Sequence, residues 1–288
     1  MSPNTAGALL MMASMASFTL NDTFVKLTGG VLPLGQLLVL RGVLSLGLIL
    51  VLATWLRALT LRITARDWGF IALRSAGEIG AAFFFITALL NLPLANVTAI
   101  LQVLPLTVTL GSALFFREAV GWRRAVAIGI GFCGMLLIVR PGPDGFSIYA
   151  LYALGAVVSV TVRDLATRSI SAAVPGLTVT VLAAAAVLGF FAVLSTGEVW
   201  APVTPRLWGL IAGSAVFILG GYYFSVQVMR TGDVSFTAPF RYTGLIWALV
   251  LGLLVFGDWP DALTLLGAAL VVATGLFTLW RERQLLRG

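Results

Sequence analysis

Ten stretches of about twenty apolar residues, divided only by short linkers, decide what this chain can become. They run over residues 7–28, 34–56, 68–90, 95–116, 122–139, 146–169, 175–195, 206–228, 235–256 and 261–280. As helices, each reaches across a hydrocarbon layer about 30 Å thick. Strands are excluded, because the runs are too long and an open sheet edge would leave unpaired backbone groups in lipid. Composition agrees: 60% of the residues are hydrophobic and 10% charged, against about 25% charged in a soluble domain. The expected fold class is an all-α integral membrane protein with ten transmembrane helices.

The basic residues orient it. The net charge is +7, but the arginines sit at the ends of apolar runs, which is how membrane proteins record their topology rather than a nucleic-acid surface. The side that carries both termini holds Arg57, Arg62, Arg66, Arg117, Arg123, Arg124, Arg168, Arg230, Arg281, Arg283 and Arg287. The opposite loops hold Arg140 and Arg206 together with Asp144, Glu198, Asp258 and Asp261. This bias places both termini in the cytoplasm of a bacterial-type inner membrane. The first run lacks a basic leader and contains Asn21, Asp22 and Lys26, so it reads as a retained span rather than a signal peptide.

The chain repeats itself. Ser17, Thr19, Asp22 and Lys26 in the first run recur as Ser159, Thr161, Asp164 and Arg168 in the sixth. Arg66-Asp67-Trp68-Gly69 resembles Arg206-Leu207-Trp208-Gly209, and Ala81-Ala82-Phe83-Phe84-Phe85 resembles Gly220-Gly221-Tyr222-Tyr223-Phe224. Thr98-Ala99 matches Thr237-Ala238, and Phe116-Arg117-Glu118 matches Phe256-Gly257-Asp258. The landmarks keep their order, which defines residues 1–143 and 144–288 as two five-helix repeats of one integrated membrane domain. Five is odd, so the halves enter the membrane in opposite directions. Inverted duplication is characteristic of secondary transporters, with solute held at mid-membrane between the repeats.

With these residues in view, the chain resembles the EamA-like branch of the drug/metabolite transporter superfamily. Leu92-Pro93-Leu94-Ala95-Asn96-Val97-Thr98-Ala99, Leu104-Pro105-Leu106 and Phe116-Arg117-Glu118 carry the resemblance, with Phe256-Gly257-Asp258-Trp259 as an echo in which the family more often has Glu. The likeness spans nearly the whole chain and is greatest to YddG-type aromatic amino-acid exporters. It implies export of amino acids, aromatic or otherwise hydrophobic, or of related small metabolites. The alternative is a multidrug exporter of lipophilic cations, coupled to protons.

Ionisable residues inside apolar runs are costly in lipid and mark candidate sites. Asp22 with Lys26, Asp164 with Arg168, and Arg74 with Glu78 have the i,i+4 spacing of ion pairs along one helix. The first two pairs recur in both halves and are expected to be structural. Pro105 in the fourth run, and Pro239 with Gly244 in the ninth, mark helix breaks at corresponding places, a pointer to a transport site. A central cavity is expected to be lined by Glu78, Gln102, Arg163, Tyr222, Tyr223, Arg241 and Tyr242. Arginine would bind a carboxylate there and tyrosine an apolar or aromatic body. Helical phase leaves open which member of each adjacent pair points inward, since neighbours lie about 100° apart.

Other classes lack their residues. The chain has no histidine and one cysteine, Cys133, expected to be a small buried packing residue. A Cys/His zinc site, an internal disulfide and a histidine triad are therefore excluded. There is no phosphate-binding G-x-x-x-x-G-K-[ST] loop, no H-E-x-x-H and no G-x-S-x-G. The expected partners are a small solute and the bilayer, with no cofactor and no metal. Glycines of the fifth and tenth runs form close-packing faces, which leaves monomer or homodimer open.

Overall fold

The computed structural model describes residues 2–60, 62–117, 121–140, 147–231 and 234–287. Among these there is no strand, and ten helices are long and apolar enough to cross a membrane. They are α1 (Pro3–Lys26), α2 (Leu34–Trp55), α3 (Ala65–Asn91), α4 (Leu94–Phe116), α5 (Trp122–Val139), α6 (Ile148–Ser169), α7 (Gly176–Leu194), α8 (Pro205–Thr231), α9 (Ala238–Phe256) and α10 (Ala262–Arg287). The protein is a multi-pass membrane protein of two inverted five-helix repeats. The linker landmarks Pro141 to Gly145 and Glu118 lie outside the described residues.

Helix starts follow capping chemistry. The Thr64 hydroxyl accepts from the Asp67 backbone N–H at 3.2 Å, and donates to the Asp67 carboxylate at 2.8 Å. Orphan donors of the first turn are thereby satisfied. Ser2 caps α1 in the same way, accepting from the Thr5 N–H at 3.2 Å. At the other ends, Arg117 and Arg140 take left-handed conformations that stop α4 and α5.

The repeat is written into the packing. The two most extensively packed pairs are α3 with α6 and α1 with α8, which the repeat exchanges. The lesser pairs α2 with α8 and α3 with α7 are exchanged likewise, while α5 with α10 and α2 with α7 map onto themselves. Small residues set the closest approach. A Cβ at Gly77 on α3 would stand 2.8 Å from the Ser159 carbonyl and 2.9 Å from the Arg163 nitrogen of α6. Any side chain at Gly77 would push α6 away. One apolar core joins Val97 and Ile100 of α4 to Ile128 of α5, Val157 of α6 and Val271 of α10. A second joins Val25 of α1 to Leu37 of α2, Leu89 of α3 and Ile211 of α8.

Helices α4 and α9 are both interrupted. α4 consists of Leu94–Leu101 and Leu104–Phe116, parted at Gln102 and Val103. Pro105 stands at the start of the second segment, and its ring crowds the carbonyl four residues back, that of Leu101, where the first segment ends. Ahead of α9, a helical turn at Val234–Thr237 leads into the 3₁₀ segment Ala238–Tyr242 that opens α9 and contains Pro239. Gly244 corrects its expected role: it lies past the break, inside the helical segment Thr243–Leu251, facing Met15 and Gln102. Cys133 is also corrected, since it is exposed on the outer face of α5.

Candidate functional site

Where α1, α2, α3, α6 and α8 meet, the folded chain gathers polar side chains that its sequence scatters over 200 positions. Glu78 of α3 lies between two guanidinium groups, 3.7 Å from Nη2 of Arg74 on its own helix and 3.6 Å from Nη1 of Arg163 on α6. Arg163 also donates through Nε to Oδ1 of Asp164 at 2.8 Å. On the α1 side, Asn21 donates to Asp22 at 2.8 Å, and Nη2 of Arg41 on α2 donates to the Asn21 side-chain oxygen at 3.1 Å. Tyr222 of α8 lies within electrostatic reach of Glu78, Arg163, Arg74 and Arg41. Its ring meets Phe18 of α1 edge to face, centroids 5.6 Å apart.

The cluster contains three arginines (Arg41, Arg74, Arg163) and three carboxyl groups (Asp22, Glu78, Asp164). It is formally balanced and not fully paired. Among the described residues, Nε of Arg41, Nε and Nη1 of Arg74 and Oε2 of Glu78 are buried without a hydrogen-bond partner. An unsatisfied buried polar atom costs about 1–3 kcal/mol, and these four leave the cluster with unused hydrogen-bonding capacity. The side chains of Glu78, Arg163 and Asp164 keep 20%, 25% and 32% of their exposure, so water-sized space reaches the centre of the cluster.

Of the residues expected to line a cavity, Glu78, Arg163 and Tyr222 come together here. Tyr223 points elsewhere: it is 39% exposed and pairs with Phe224. Tyr242 is buried against Gly275 of α10, with its hydroxyl unpartnered among the described residues. Arg241 is exposed and belongs to none of the ion pairs among the described residues. Gln102 is half-buried at the break of α4, beside Gly244 of α9.

The recurrent i,i+4 pairs take different partners. Lys26 does not reach Asp22; its ammonium donates to the carbonyls of Leu89 (3.0 Å) and Leu92 (2.7 Å) and lies 5.5 Å from the centroid of Phe256. The C-terminal end of α3 presents carbonyls without intrahelical partners and the negative end of the helix dipole, both of which suit an ammonium group. Asp164 takes its neighbour Arg163, while Arg168 donates to Ser112 at 2.9 Å and lies 5.3 Å from the centroid of Phe116. Arg41, a charge inside the second apolar run, and Arg74 join the cluster without having been among the expected lining residues, and so does Asn21. The signal for Asn21 was its repeat position, equivalent to Arg163.

Residues 5–140 match the sequence profile of the EamA-like transporter family. Similar curated proteins include a riboflavin transporter of Vibrio cholerae, 28% identical over 82% of this chain and 80% of that protein. A pseudopaline exporter of Pseudomonas aeruginosa is 27% identical over 93% of each chain. An S-adenosylmethionine uptake transporter of Rickettsia felis is 24% identical over 67% of this chain and 65% of that one. A solved crystal structure shares the fold, with a TM-score of 0.66 at 18% identity over 97% of this chain and 99% of the other.

Proposed function

We propose that this chain, whose residues 5–140 match the EamA-like transporter family, is a member of the drug/metabolite transporter superfamily and exports amino acids, aromatic or otherwise hydrophobic, or related small metabolites across the inner membrane. Both termini are placed in the cytoplasm, and transport proceeds by alternating access of the two repeats. The observation that carries this reading is the balanced, incompletely bonded cluster around Glu78. Donors of Arg74 and Arg41 without hydrogen bonds suit a carboxylate, Oε2 of Glu78, ion-paired at 3.7 Å but not hydrogen-bonded, suits an ammonium group, and Tyr222 with Phe18 offers an aromatic wall to the body of the solute. Glu78, Arg163 and Tyr222 with Arg41 and Arg74 are assigned to the grip on the solute. Gln102 is assigned to the break of α4.

The three carboxyl groups support a second reading, efflux of lipophilic cations, against which the three arginines stand. Purified protein in liposomes, given labelled amino acids, riboflavin, S-adenosylmethionine and cationic dyes in separate assays, separates the two. Flux of at least one zwitterionic amino acid, lost in Glu78→Gln, is the expected result. Flux of dyes alone would establish the second reading, and absence of amino-acid flux in either direction would refute the first.

A further inference from the structure

We propose that the groove between α5 and α10 at their arginine-rich end binds an anionic phospholipid, acyl chain on its floor and headgroup phosphate between Arg123 and Arg281. The two helices cross closely near their other end. There a Cβ at Gly134 would stand 2.8 Å from the Gly267 carbonyl, and Arg140 pairs with Asp261. From that crossing they diverge and leave a cavity of about 560 Å³. Its floor includes Val126 and Ile130 of α5 and Phe277 of α10, all exposed in the free chain. Such a floor has no business with water, and at this depth its neighbour is an acyl chain.

The mouth is different in kind. Trp122 and Trp280 flank it, 72% and 52% exposed, the amphipathic pair expected at headgroup level. The Arg123 guanidinium lies 5.4 Å from the ring centroid of Trp122, and Arg281 donates to Gln284. In sequence this end carries Arg117, Arg123, Arg124, Arg281, Arg283 and Arg287 against Glu118 and Glu282. Charge complementarity therefore selects an anionic headgroup over a zwitterionic one, as basic pockets between transmembrane helices do. A second protein copy would have to present an acidic counterpart, and the same end of this chain has a large basic excess.

Delipidated protein titrated with phosphatidylglycerol or phosphatidylcholine and read by native mass spectrometry tests the site. Wild type should retain phosphatidylglycerol through detergent activation and lose phosphatidylcholine. Arg123→Gln/Arg281→Gln should bind phosphatidylglycerol about thirtyfold more weakly, from two cations near an anionic surface. Ile130→Trp fills the floor with both arginines in place and should also lose the retained lipid. Melting temperature and monodispersity show that each variant is folded. Equal retention of both lipids, or unchanged retention in the folded variants, overturns the proposal. So does a dimer that forms only without lipid and is broken by Ile130→Trp, which would make the groove a contact between copies.

Discussion

Helices α1 and α6 occupy equivalent places in the two repeats and carry the same Asp-x-x-x-basic pattern, yet their ends are fastened differently. Lys26 of α1 bonds the carbonyls of Leu89 in α3 and of Leu92 just past its end, and lies over Phe256 of α9. Its counterpart Arg168 bonds Ser112 and lies over Phe116, both on α4, the counterpart of α9. The cation–aromatic contact is thus conserved by the symmetry. The packing around it is not: α1 packs on α3 and on the first segment of α4, whereas α6 has little such contact with α8 or the start of α9 among the described residues. Among the described residues, the two ends differ in what fastens them. Two similar halves that can exchange these arrangements are what alternating access requires.

The largest effect is expected where the halves differ in charge. Asn21 and Arg163 are equivalent, and each donates to the aspartate that follows it at 2.8 Å. Arg163→Asn makes the second half like the first. It leaves Glu78 with Arg74 alone and takes the cation from Asp164, which should cost about 3 kcal/mol, the range for breaking a largely buried ion pair. A lowered melting temperature in detergent and loss of solute flux are the readouts. A variant within about 0.5 kcal/mol of wild type, the usual scatter for a surface change, would mean that the arginine is not a structural member of the cluster.

Next comes the contrast between the two ends. Lys26→Met removes two charge-assisted bonds and a cation–aromatic contact, together about 1–2 kcal/mol. That is about tenfold in the balance of states. With Cys133 first replaced by Ser, a single cysteine at Phe18, beside Tyr222, reports access from each side through its alkylation rate by an impermeant reagent. Lys26→Met should raise labelling from the side on which α1 ends. Arg168→Met should move it the other way. Shifts of the same sign in both variants would show that these cations only stabilise the bundle.

A smaller effect separates Tyr222 from Phe83, its equivalent. Tyr222 lies among the charges of the cluster, whereas Phe83 packs against Phe84 and Tyr152. Tyr222→Phe deletes one hydroxyl, about 0.5–1.5 kcal/mol if it bonds the solute. It should raise KM for amino acids up to about tenfold with the melting temperature unchanged. Phe83→Tyr should leave KM alone. An unchanged KM in Tyr222→Phe would remove the phenol from the grip.

The span count, the inverted repeat and the positions of the broken helices were legible because each depends on local pattern: run length, order of landmarks, and proline. Glu78 and Arg163 were legible as charges that lipid would not tolerate. Their meeting was not, because it depends on α3 and α6 crossing closely at Gly77, a tertiary fact. Choosing Tyr222 over Tyr223 and placing Tyr242 against α10 required helical phase, which a uniformly apolar helix does not reveal. The pair Arg74–Glu78 formed as its spacing suggests, but the recurrent pairs Asp22–Lys26 and Asp164–Arg168 misled for a related reason. Spacing shows that Lys26 can reach Asp22, and only the folded chain shows that the carbonyl end of α3 is nearer its ammonium.

The smallest effect concerns the two ends of the α5–α10 pair, one clasped by Arg140 and Asp261 and the other open as a groove. Asp261 stands just ahead of α10, and its carboxyl is held below the ordinary value of 3.8, first by the Thr264 backbone N–H at 2.9 Å and then by Arg140. A depressed carboxyl contributes stability above its unfolded value and loses it as pH falls through the folded one. The clasp should therefore be intact at neutral pH and fade below about pH 4, where Asp261 protonates. Asp261 is 54% exposed, so solvent screens the pair and its worth stays within about 1 kcal/mol. Melting temperatures of wild type and Asp261→Asn should differ slightly at pH 7, and the gap should narrow as pH falls below about 4. The lipid-retaining groove at the far end should respond to neither. A gap that does not narrow with acid would assign the role of Asp261 to something other than its charge.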